Sequence, residues 1–208
     1  MKPDIFFKLL SNRFKVLFNN QIFFKFKGLI IESQGTKDTI IREGIPPVQV
    51  KATSWFDDIW LYIKVEFKYA EEVNDYIPMI SLSFFQEIED KLEPLFRAEW
   101  DNFKLIEGCN NRYNHPQPHW HLNTMKPVIK SFTDLTEEEA DSEMGSFASL
   151  LQEHIECYID IYKMHFAMSG LWYENGQMAE SHIDDKKVVD WLAYTLIHVR
   201  EEIEYVRA

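Results

Sequence analysis

The sequence predicts an α+β fold: an antiparallel β-sheet with an N-terminal helix and two C-terminal helices packed on one face. Three observations predict it. The chain opens on a stretch with helical apolar spacing, its middle carries segments of apolar–polar alternation, and from residue 134 the texture is helical. Strands followed by a run of helices argue for an α+β domain whose helices cover one face of the sheet. At 208 residues, 46% hydrophobic and 15% aromatic, the chain is long and apolar enough to bury a sizeable core. Residues 1–208 therefore read as one domain, with the N-terminal helix and sheet over 1–133 and a helical part over 134–208.

Each element has its own signal. "PDIFFKLLSNRFKVLF" places Ile5, Leu9 and Leu10 near one stripe with Phe6, Phe14 and Leu17 beside it, which is helical spacing. "QIFFKFKGLIIES" alternates Phe24 and Phe26 against Lys25 and Lys27 until Gly28 interrupts, giving a strand or two. After the turn-rich "EGIPPVQ", "WLYIKVEFKY" sets Leu61, Ile63, Val65 and Phe67 against Tyr62, Lys64, Glu66 and Lys68, a half-buried antiparallel strand. "MISLSFFQ" and "PLFRAEWDNF" are further strands, the second bounded by Pro94; "QEIEDKLE" between them fits a short helix or a charged hairpin loop. Thr136 and Glu139 stand at capping-box spacing ahead of Phe147, Leu150, Leu151, Ile155, Tyr158 and Ile161, which predicts a long helix. "ENGQ" stops it. The last helix carries Val188, Leu192, Leu196, Val199 and Ile203 on one stripe, with Asp184 or Asp185 as its cap.

Charge and cysteine usage narrow the function classes. The chain carries a net charge of -12, yet residues 1 to 51 hold nine basic against four acidic residues, or +5, and the remainder holds -17. That asymmetry fits either complementarity between the two parts or a basic surface kept for a partner. Cys109 and Cys157 form no C-x-x-C motif, so no disulfide framework is expected. Basic residues break the apolar N-terminal stretch every few positions, leaving no signal-peptide core and no span. A soluble, cytoplasmic protein without a membrane partner is the expectation. There is no glycine-rich phosphate loop and no G-x-S-x-G elbow, which sets aside kinase, ATPase and α/β-hydrolase readings.

Three of the seven histidines fall within "NNRYNHPQPHWHLN". In a strand, residues two apart share a face, so "HWHLN" puts His119, His121 and Asn123 on one side and Trp120 and Leu122 on the other. "LFRAEWDN" has the same design, with Arg97, Glu99 and Asp101 opposite Phe96, Ala98 and Trp100. Antiparallel pairing of these strands, polar faces together, would converge Arg97, Glu99, Asp101, His119 and His121 as candidate catalytic residues. Two chemistries fit. In one, His119 and His121 act as base and acid while Arg97 stabilises a phosphorane-like charge; in the other, acids and histidines hold a divalent metal, with His115, His119 and His121 as candidate ligands. Cys109 with His115, His119 and His121 also reads as a cramped zinc set. A solvent-facing polar strand surface explains the alternation without chemistry. The H-x-H does not fit the cupin motif, because no Glu follows at the expected distance.

The combination of "RAEWD" and "HPQPHWHL", within residues 95 to 123, resembles small uncharacterised bacterial families, including toxin-like proteins from toxin–antitoxin and phage-defence neighbourhoods. The resemblance implicates Arg97, His115, His119 and His121 and implies an RNase-like toxin or defence effector. The acidic C-terminal half departs from the basic character of many RNA-cleaving toxins. Two functions compete. The first is a nucleic-acid-directed hydrolase acting on RNA or DNA, its basic N-terminal segment holding the backbone. The second is a non-enzymatic interaction module of a bacterial defence or regulatory complex, docking a protein partner through the acidic helical half and exposed Trp55, Trp60 and Trp172. A structural-zinc adaptor is a third reading.

Overall fold

The computed structural model describes residues 2–41, 47–71, 74–100, 118–122, 159, 164 and 184–208. Helix α1 (Pro3–Leu17) leads into strands β1 (Phe24–Lys27), β2 (Ile30–Ser33), β3 (Lys37–Ile41), β4 (Val48–Phe56), β5 (Ile59–Ala70), β6 (Asp75–Ile88), β7 (Lys91–Trp100) and β8 (His119–Leu122). Helix α2 (Asp185–Arg207) closes the chain. The sheet is antiparallel in the order β1-β2-β5-β6-β7-β8. One edge of β5 is shared: β2 pairs with Lys64 to Glu66, and β4, carrying β3 on its far side, pairs near Ile59 to Leu61. An antiparallel sheet with an N-terminal and a C-terminal helix is thus what the described residues form. The first of the two predicted C-terminal helices falls outside them, apart from Ile159 and Met164, which are buried in the core.

Both helices lie on one sheet face because each presents a single apolar stripe. Phe6, Leu10 and Phe14 of α1 and Val188, Leu192, Leu196, Val199 and Ile203 of α2 share one core with the inward face of β5, formed by Ile59, Leu61, Ile63, Val65 and Phe67. Leu82, Phe84, Ala98 and Trp100 extend that core across β6 and β7. Aromatic edges fix the docking: Phe6 meets Phe67 at 5.4 Å, Phe14 meets Phe24 at 5.0 Å, and Trp191 meets Trp100 at 5.1 Å between ring centroids. Asp184 caps α2 by accepting from the Lys186 N–H at 2.9 Å. On α1 the buried stripe runs through Phe6, Leu10 and Phe14, while Ile5 is exposed, one position off the predicted stripe.

Turn chemistry sets the registers. Gly28, at φ +63, begins the two-residue turn between β1 and β2. "QEIEDKLE" is a hairpin: Glu89 and Asp90 both take positive φ, and Ile88 pairs with Lys91. β7 therefore starts at Lys91 and not at Pro94. Its register slips where Phe84 faces Phe96 and Phe85 faces Pro94, so Leu95 is the extra residue and is buried beside Phe96. Gly35 follows β2 where the chain crosses β4; a Cβ there would lie 1.9 Å from the Lys51 carbonyl oxygen, so only glycine fits.

The opposite sheet face is polar at its centre. Cross-strand register lines up Glu32, Lys64, Ser81, Glu99 and His119 in one row, and Tyr62, Ser83, Arg97 and His121 in the next. A smaller apolar cluster of Ile41, Val50, Ala52, Tyr62 and Phe85 lies beside it, under the β3–β4 hairpin. Trp55, expected to be exposed, is buried in the main core, and Trp60 is half-buried with its indole N–H donated to Glu87 at 2.7 Å. Trp172 lies outside the described residues. Among the described residues no helix is long and apolar enough to cross a membrane.

Candidate functional site

The site arises where β7 and β8 pair. Arg97 stands opposite His121 and Glu99 opposite His119, so alternation along both strands sends these four side chains to the polar face. Ala98 and Trp100 point into the core, and Trp120 packs edge-on against Phe96 at 5.8 Å. Leu122, expected on the core side with Trp120, is exposed. Asp101 and His115, the other two candidate residues, and Cys109 lie outside the described residues.

Three atoms converge. His119 Nε2 and His121 Nε2 are 2.7 Å apart, His121 Nε2 is 2.8 Å from Glu99 Oε2, and His119 Nε2 is 3.3 Å from the same oxygen. Arg97 Nε forms an ion pair with the other carboxylate oxygen, Oε1. The Glu99 and His119 side chains are largely buried, whereas His121 is 42% exposed, so the cluster opens to solvent on the His121 side.

The electrostatics follow from these contacts. Burial alone would raise the Glu99 carboxyl, but the His119 hydrogen bond, the Arg97 charge and the His121 contacts outweigh it and hold the group at about 2. Burial pushes His121 below the usual imidazole range, with Arg97 and His119 acting in the same direction against the pull of Glu99. The carboxylate oxygen is an acceptor, and each imidazole Nε2 either donates to the cluster or presents a lone pair, according to the tautomer. In the tautomer that carries its proton on Nδ1, the ring can bind a cation through Nε2. A point about 2.1 Å from all three atoms, the usual zinc–nitrogen and zinc–oxygen bond length, lies about 1.2 Å out of the plane of their triangle.

The same distances discriminate between the two chemistries. Acid and base groups serving the attacking and leaving oxygens of one phosphorus must each lie within about 3 Å of a different oxygen, which separates them by roughly 6 Å. At 2.7 Å the two imidazoles leave no room for that arrangement. They are close enough for one ion to reach both.

The sequence pattern did not single out Ser81 and Ser83, the small buried residues between this cluster and β5. The alternation in "ISLSF" is the signal that puts them on the polar face. A cavity of about 730 Å³ opens elsewhere, at the Glu32 end, lined by Lys25, Gln34, Gln49, Lys51 and Tyr62 among others. It does not include the histidines, whose cluster is a shallow site near the sheet edge.

Fold and site together define an antiparallel sheet protein with helices on one face and a His-His-Glu cluster on the other. The chain matches no family model, no curated protein and no solved structure.

Proposed function

We propose that this protein is a metal-assisted hydrolase of phosphodiesters in RNA or DNA, an RNase-like toxin or defence effector, with Glu99, His119 and His121 at its centre and Arg97 beside them. The observation that carries the reading is the convergence of Glu99 Oε2 and the two imidazole nitrogens. An ion held there supplies an activated water and a Lewis acid for a phosphoryl oxygen. The nucleic-acid part is supported by exposed cations joined to no acid among the described residues, among them Lys27 and Lys68 on β1 and β5 and Lys51 at the cavity. Other cations are neutralised internally: Lys25 by Glu32, Lys37 by Glu87, and Arg13 by Asp190 of α2 at 3.0 Å. The last pair supports charge complementarity between the basic and acidic parts as the larger use of the asymmetry.

The test is cleavage of labelled RNA and DNA oligonucleotides by chelator-stripped protein with and without added zinc, manganese or magnesium. Metal-dependent cleavage that falls about a hundredfold or more in His119→Ala/His121→Ala is expected. Absence of cleavage under every metal would sink the reading. The alternative, an acidic interaction module, draws support from α2, where Tyr194 and Tyr205 are exposed near Glu201 and Glu204. A partner captured by full-length protein and lost in Tyr194→Ala/Tyr205→Ala would favour it.

A further inference from the structure

We infer that the Glu99–His119–His121 cluster binds a nitrogen-preferring first-row divalent ion of the zinc class, these three being its ligands among the described residues, with Arg97 as the positioning residue that aims Glu99. The inference rests on the metal-assisted reading above, but concerns which ion binds and how it is held. Two of the three converging donors are imidazole nitrogens. Magnesium and calcium favour all-oxygen shells, and a site with one carboxylate gives them little; zinc, cobalt and nickel accept imidazole readily.

His121, whose side chain is 42% exposed, puts the cluster within reach of an ion from solvent. Arg97 takes Glu99 Oε1 and leaves Oε2 turned toward both imidazoles, so the guanidinium sets which oxygen can bind the ion. Outer-shell partners of this type are part of a metal site's affinity.

The experiment is calorimetric titration of chelator-stripped full-length protein with zinc and, separately, with magnesium, followed by the visible and near-ultraviolet spectrum of the cobalt-loaded protein. One zinc per chain, unaffected by millimolar magnesium, is expected. Glu99→Gln and His121→Ala each weaken zinc binding more than about tenfold; Arg97→Gln weakens it about ten- to a hundredfold, and Arg97→Lys recovers part of the loss. Cys109→Ser leaves binding unchanged. Circular dichroism and melting curves confirm that each variant is folded, and Glu99→Gln, which preserves side-chain shape, keeps the test decisive should an alanine variant unfold. No zinc binding, preference for magnesium, or an intense thiolate-to-cobalt band would overturn the inference. Zinc binding with no nucleic-acid cleavage would uphold it and remove the hydrolase reading instead.

Discussion

Glu32 and Glu99 occupy the same cross-strand row of the polar face, three strands or about 14 Å apart. Both are partly buried, and both are held below the ordinary carboxylate range. Their partners differ. Burial would raise Glu32, but the Tyr62 hydroxyl donates to it and Lys25 pairs with it at 3.1 Å, so groups carrying protons fill its acceptor sites. Glu99 pairs with Arg97 through Oε1 and faces two imidazoles through Oε2, and an imidazole, unlike an ammonium group, can bind a cation through the same nitrogen. The partners' chemistry, more than burial or pKa, distinguishes the two carboxylates.

The most direct way to break this comparison is to give Glu99 the surroundings of Glu32. His121→Lys replaces a lone-pair donor with an ammonium group beside the carboxylate. Zinc binding should disappear to the limit of a calorimetric titration, while melting of the metal-free protein should change by no more than about 1 kcal/mol, the usual worth of a partly exposed ion pair. Retained stoichiometric zinc in this variant would show that His121 is not a ligand.

At the other end, Gly35→Ala should cost about 3 kcal/mol or more, read from urea unfolding, because the added Cβ meets the Lys51 backbone and not a movable side chain. Zinc affinity should be unchanged. Tyr62→Phe is a milder change at the same end: it removes a hydroxyl donor to an ionised carboxylate and should cost about 1–2 kcal/mol, again with unchanged zinc affinity. A loss of zinc binding in either variant would mean that the two ends of the face are coupled.

The two clusters were unequally legible in the sequence. Alternation in "LFRAEWDN" and "HWHLN" placed Arg97, Glu99, His119 and His121 on shared faces, and the strand pairing between them is the one that alternation allows. Helix α2 was equally plain, since all five residues of its predicted stripe are buried. The end of β4 escaped because a register shift between Ser54 and Phe56 breaks the period of two: Trp55 faces the core in step with Thr53, and Phe56, opposite Ile59, turns to the same side. The bulge at Leu95 disguised the start of β7 in the same way. The hairpin at Glu89 and Asp90 was ambiguous because a two-residue turn needs positive φ at both positions, which is uncommon for Glu. Glu32 and Tyr62 meet through the long-range pairing of β2 with β5, and no local pattern reports such a contact.

Acid titration of the metal-free protein gives the most gradual and most separable effects. Glu99 lies at about 2 in the fold against an ordinary 4.5, so its stabilisation is present above the unfolded value and lost as pH falls toward about 2. That leg is worth about 3 kcal/mol at most, and only part of it is reached by pH ~3. Glu32, also lowered, acts with the same sign in the same acid range. His121 adds an earlier leg: its lowered folded pKa means that the unfolded chain takes up protons first, so stability declines as pH falls below about 6.5. His121→Ala should remove the near-neutral leg and Tyr62→Phe should alter only the acid one, as read from melting temperatures between about pH 7.5 and about pH 3. A near-neutral leg that survives His121→Ala would assign it to another histidine and leave the electrostatic account of the cluster without its support.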